Sequence, residues 1–137
     1  ALGSALQLRG SFLSLPHVLE RSRTLLEKAV AIAPQHAEAH VRLGQTLVTL
    51  GEVDAAEAAI RQGLALEPDS AVAHGQLARL LWLGRARIDD AIDHFLKAAE
   101  RAPQAGYTYL QLALLQALTG RLDDAERYAR EAVDLQQ

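Results

Sequence analysis

Between Ala37 and Pro68 the chain reads AEAHVRLGQTLVTLGEVDAAEAAIRQGLALEP, and the same pattern returns twice after it. A period of this length leaves few architectures open, because each unit has to bury its apolar face against the next. Within the unit two amphipathic runs flank Gly51. His40, Leu43, Gly44 and Leu47 mark the first, and Val53, Ala56, Ile60 and Gly63 the second. Steps of three and four place each set on one helical face. Gly51 and Glu52 have room only to reverse the chain, so the two helices form an antiparallel hairpin. Pro68 stops the second. A glycine inside a helix costs about 1 kcal/mol relative to alanine, so Gly44 and Gly63 point to close backbone packing. An alanine-rich composition of bacterial type offers a plainer reason for the small residues.

The copies follow one another without a linker. Pro34, Pro68 and Pro103 are spaced by 34 and 35 residues, and Gly51, Gly84 and Gly120 by 33 and 36. The reading is one domain, 1–137, divided into a degenerate repeat over 3–36 and full repeats over 37–70, 71–105 and 106–137. In the degenerate copy Leu6, Gly10 and Leu13 stand one period before His40, Gly44 and Leu47. Pro16 replaces the glycine turn there and suits the first turn of a second helix carrying Leu19, Ser22, Leu26, Ala29 and Val30. Asp69 or Ser70 can cap the helix that follows Pro68. That helix is expected to end near Leu83, broken by Gly84, with one extra residue in the Gly84–Ile88 turn.

A helix–turn–helix of 34 residues with an aromatic, Leu-Gly, Ala, an aromatic and Pro at fixed offsets resembles the tetratricopeptide repeat. The pattern's slots hold His40, Leu43, Gly44, Leu47, Ala56, Ile60 and Pro68 in the first full copy. They hold His74, Leu77, Ala78, Leu81, Ala91, Phe95 and Pro103 in the second, and Tyr109, Leu112, Ala113, Gln116, Ala125, Ala129 and Gln137 in the third. The resemblance implies an all-α fold, a right-handed superhelical solenoid of antiparallel helix hairpins. Two departures stand out in the third copy. Gln116 replaces an apolar or aromatic residue, and Ala129 replaces an aromatic, with Tyr128 one position earlier. No polar capping helix follows, although stacked repeats normally need one.

Composition removes several function classes. Cysteine is absent, which excludes disulfides and thiolate metal sites. Twelve arginines and two lysines are scattered among seventeen acids for a net charge of −3, so there is no nucleic-acid footprint. No apolar run approaches the roughly 18–20 residues of a membrane span. The chain reads as soluble, with the cytoplasm favoured. It lacks an initiating methionine, so its natural N-terminus stays open.

The residues supply no catalytic set, cofactor site or metal site. His36 and His40 lie four apart around Glu38, but a zinc hydrolase helix needs its glutamate directly after the first histidine. His17 and His94 have no recurring partner. Asp89-Asp90 and Asp123-Asp124 each open a second helix, where the helix dipole favours negative charge. An enzyme within these residues is not expected.

By resemblance, the first helices of successive hairpins line a groove that holds a peptide or protein segment. Carried over by position, the groove residues are Arg42, Gln45, Gln76, Arg79, Trp82, Tyr107 and Gln111. Arginine grips a carboxylate through paired hydrogen bonds, and Trp and Tyr offer large contact areas with few rotors. The expected partner is a segment with an acidic group beside an apolar one. Trp82 could equally pack under the enlarged turn, and Arg42 and Arg79 could pair with nearby acids. Two other readings stand beside the groove. One is a self-assembling adaptor, a homo-oligomer built through uncapped terminal repeats. The other is the non-catalytic region of a larger enzyme, such as a glycosyl- or sulfotransferase.

Overall fold

The computed structural model describes the backbone of residues 2–136 and the side chains of residues 15–136. Among the described residues seven helices follow one another: α1 (Leu2–Ile32), α2 (Ala37–Thr49), α3 (Val53–Leu66), α4 (Ala71–Arg85), α5 (Ile88–Arg101), α6 (Gly106–Leu118) and α7 (Leu122–Leu135). There is no strand among the described residues. Helices α2–α3, α4–α5 and α6–α7 pack as hairpins, and each hairpin packs on the next, giving an all-α solenoid.

The turns within the hairpins share one device. After α2, Gly51 takes φ +83°, its N–H reaches the Val48 carbonyl, and the Glu52 N–H reaches back to Leu47. After α6, Gly120 takes φ +81°, with Gly120 bonding Ala117 and Arg121 bonding Gln116. Both endings satisfy carbonyls that the helix leaves bare, and both need a left-handed residue that glycine adopts without strain. The middle hairpin differs from expectation. Gly84 does not break α4, which continues to Arg85, and the left-handed residue is Ala86 at φ 57°. The inserted residue lengthens the closure, so the Arg87 N–H bonds Leu81 six residues back rather than five. Gly84, still helical, passes close to α3: an added Cβ would lie 3.1 Å from a Val53 methyl.

The N-terminal copy also differs. Instead of a hairpin over 3–36 with its turn at Pro16, α1 is one helix of 31 residues with Pro16 inside. Pro16, fixed near −65°, fits a helix as readily as the start of a turn, and no glycine stands beside it to make the left-handed closure of the other hairpins. Continuing the helix leaves one carbonyl unpaired, yet it keeps the rest of the ladder. From Leu19 onward α1 lies against α2, with Leu26 and Val30 packed on the core and Arg23 paired to Glu52 at 2.5 Å.

Small residues set the spacing inside the first hairpin. A Cβ added at Gly63 would stand 2.6 Å from a Val41 methyl, and one at Gly44 would stand 3.1 Å from the Ala56 carbonyl oxygen. The continuous core then runs through Leu43, Ile60, Leu77, Leu81, Phe95 and Leu112, all buried. At each junction between repeats an ion pair crosses the edge where the turns lie. Arg85 reaches Asp54 at 2.6 Å and Glu57 at 2.8 Å, and Arg121 reaches Asp89 at 2.8 Å. Exposed pairs of this kind contribute roughly 0–1 kcal/mol each, so they set register more than stability.

Two stability changes of opposite sign follow. Ala86→Gly relieves a left-handed alanine worth roughly 1–2 kcal/mol and adds unfolded-chain entropy of about 0.4–1 kcal/mol, leaving a gain of about 0.5–1 kcal/mol. Gly63→Ala overpacks the α2–α3 contact and is expected to lose about 1–3 kcal/mol. Urea midpoints at unchanged m-value measure both.

Candidate functional site

Successive first helices α2, α4 and α6 form one face of the solenoid, and two hollows adjoin on it. The first, about 520 Å³, lies between α2 and the α3–α4 connection and holds Arg42, Gln45, Glu38, Glu67 and Ser70. The second, about 360 Å³, lies between α4 and the start of α6 over a floor of Phe95, Ala98 and Ala102. Gln76, Arg79 and Tyr107 line this second hollow. Gln45 and Val72 belong to both, and Val72 is 66% exposed.

Polar groups on this face differ in how far they are satisfied. Arg42 is occupied by Glu38, with its Nε donating at 2.8 Å to an oxygen one turn away. Arg79 has no ion-pair or hydrogen-bond partner among the described residues, although it is half-buried. One turn before it, the Gln76 side-chain carbonyl oxygen is buried without a donor. A buried amide with an unmet bond is costly unless something supplies the partner. Helix α6 adds an exposed apolar edge of Leu110, Leu114 and Leu118 beyond Tyr107.

Five of the seven residues expected in the groove, Arg42, Gln45, Gln76, Arg79 and Tyr107, line these hollows. Gln111 is half-buried and lines neither. Trp82 lines neither as well, and its ring packs against the core with the indole nitrogen buried and unbonded. Val72, Glu38 and Glu67 were not among the sequence candidates. Glu38 and Val72 occupy the second position of successive repeats, and that periodicity is the signal that would have found them.

The histidines have structural roles. His36 Nδ1 accepts the Ala39 N–H at 3.1 Å and so caps α2, and His40 Nε2 donates to the Pro34 carbonyl at 2.9 Å. Both rings of the expected pair are thereby occupied by the backbone. His74 repeats the second contact on Pro68. Its other nitrogen faces His94 Nδ1 at 3.1 Å, with the rings stacked at 5.3 Å. His94 therefore does have a recurring counterpart: Tyr128 stacks on Tyr109 in the matching slots of the third hairpin. Because the Pro68 carbonyl can only accept, His74 carries its proton on Nε2, and the His94 N–H donates to the bare Nδ1. Gln116, at an apolar slot, is buried, and its side-chain oxygen accepts from Arg121 at 3.2 Å.

These features define the chain first as a helical-repeat protein. Models of the tetratricopeptide repeat match residues 19–82 and 76–137. The chain belongs to the tetratricopeptide-repeat family. It is 36% identical over 111 residues to cellulose synthase operon protein C of Xanthomonas axonopodis pv. citri (strain 306); the match takes in 78% of the chain and 7% of that relative. The crystal structure of MamA superposes with a TM-score of 0.76 at 25% identity, covering 83% of this chain and 66% of that one. MamA 41-end from Desulfovibrio magneticus RS-1 gives 0.77 at 20% identity, over 90% and 70% of the two chains. The repeats and the MamA-like fold mark the chain as a protein–protein interaction scaffold, a role this fold typically fills without catalysis. No helix among the described residues is long and apolar enough to cross a membrane.

The histidine stack makes stability depend on pH. Burial, then the neighbouring His74, Lys97 and Arg61, push His94 down from 6.5 to about 4, with Asp93 opposing. The unfolded chain therefore binds a proton that the folded chain refuses between these values. Stability is full above about 6.5 and falls as pH drops toward 4, by about 1–2 kcal/mol after discounting for partial exposure. Urea unfolding at pH 7 and 4.5 is expected to show this loss, and His94→Gln should show a smaller one.

Proposed function

We propose that the face built from α2, α4 and α6 holds an extended segment of another protein. An acidic side chain of that segment meets Arg79, and apolar side chains lie on Val72 and Tyr107. The observation that carries this reading is the contrast within the second hollow. An arginine without an acid and a buried amide without a donor stand over an apolar floor. The Gln76 amide lines the hollow and can hydrogen-bond a peptide backbone once it rotates toward it, and a carboxylate can engage the guanidinium through two parallel bonds. Arg42 contributes less, since Glu38 already occupies it. Gln45 and Val72, common to both hollows, give a continuous path from one to the other.

The length of the Xanthomonas relative favours a second reading, in which these repeats are a non-catalytic section of a longer protein serving a polysaccharide synthase. The groove reading holds in either setting.

Selection from a random peptide library on the intact chain tests the groove. Enriched peptides are expected to carry Asp or Glu beside an apolar residue. Arg79→Glu should weaken them about 10- to 100-fold, the range for losing a charge-assisted pair and gaining repulsion. Helicity should stay unchanged. Equal binding by Arg79→Glu and the unmodified chain would remove this site from consideration.

A further inference from the structure

The second half of α1 has the position of a second helix without the first helix that should lie on it. In the full hairpins, the slot of Leu25 is held by Ala59, His94 and Tyr128. The last two stack on the first helix of their own hairpin, on His74 and Tyr109. The slot of Ile32 is held by Leu66 and Leu135, both half-buried, and in the middle hairpin by the exposed Arg101. In α1 the same slots are bare: Leu25 is 58% exposed and Ile32 is 84% exposed. Val18, at 56%, continues the stripe toward Leu15. Spacings of three and seven residues keep Leu15, Val18, Leu25 and Ile32 on one side of the helix.

What belongs on this stripe can be read from the sequence. Leu6, Gly10 and Leu13 keep the first-helix pattern one period before His40, Gly44 and Leu47. In the first full hairpin Gly44 meets Ile60 directly. Their counterparts, Gly10 and Leu26, lie on one unbroken helix, about 24 Å apart along its axis at 1.5 Å per residue. A first-helix segment and the face made to receive it are thus collinear and cannot meet within the same chain.

We propose that a second copy of the chain supplies the missing layer, two α1 helices lying antiparallel so that the N-terminal half of each covers the stripe of the other. The register is fixed by the hairpins. The contacts Gly44–Ile60 and Gly63–Val41 are both mirrored about residue 52. One period earlier that mirror point is Val18. An antiparallel pair in the same register has its two-fold axis at Val18, so the arrangement closes on itself as a dimer. It exchanges a hairpin helix between copies, with Pro16 beside the axis where the closed hairpin would have turned. This assembly is independent of the groove reading, since it uses neither hollow.

The chain has no cysteine, so one introduced residue reports alone. The full chain is expected to show a mass about twice 14.8 kDa by light scattering, dissociating on dilution. Leu25→Glu, at an exposed site, should raise the dissociation constant at least tenfold with helicity retained. Val18→Cys should give a disulfide-linked dimer on mild oxidation, whereas Glu20→Cys, on the other side of α1, should not. A monomer at millimolar concentration overturns the proposal and means that the hairpin closes or the stripe stays bare. A mass that keeps growing with concentration overturns it in favour of open end-to-end stacking. A dimer in which Val18→Cys fails to link, or Glu20→Cys links equally well, overturns it in favour of another surface.

Discussion

The close approach of α2 and α3 at Gly44 and Gly63 sets the geometry on which the other contacts build. With no side chain at either position, Ile60 and Val41 reach the opposing backbone, and the two helices lie nearer than larger residues would allow. That separation places Leu43, Leu47 and Ile60 to receive Leu77 and Leu81 from the next repeat. The solenoid grows because each hairpin leaves one face for its neighbour. Its core is a single line of contacts rather than a centre. A change at one junction is therefore felt by the two repeats that share it and weakly beyond.

The outer edges are less uniform than the core. Two hairpins close on glycine at positive φ, and the third closes on Ala86 because one inserted residue moved the turn beyond Gly84. The same carbonyl slot, Leu47, Leu81 and Gln116, accepts the returning backbone in all three. The insertion is thus absorbed by a wider loop and leaves the helix packing unchanged. Ion pairs from Arg23, Arg85 and Arg121 run along this edge from repeat to repeat, while the opposite connections are held by histidine bonds to Pro34 and Pro68.

The face formed by first helices is where requirements of folding are least complete. Its cations differ in availability because Glu38 stands one helical turn before Arg42, while Gly75 and Gln76 precede Arg79 and offer no charge. The Gln76 side-chain oxygen is buried there without a donor, and Val72 stands exposed beside it. What this face presents is a cation, an amide and an apolar floor side by side.

The sequence by itself determined the helix periods, the hairpins and the repeat, because a residue's place on a helical face depends only on spacing. It also identified Gly44 and Gly63 as close contacts, since an unfavourable glycine inside a helix calls for a compensating approach, whereas the choice of Arg42, Gln45, Gln76, Arg79 and Tyr107 came from the family resemblance. Tertiary structure decided what depends on neighbours. It turned the Trp82 ring onto the core, moved the α4 ending from Gly84 to Ala86, and joined His94 to His74 across two helices. It also drew α1 as one helix through Pro16, although local rules allow either a turn or a continuation there. Such outcomes turn on which competing contact is available in space, and spacing along a chain does not carry that information.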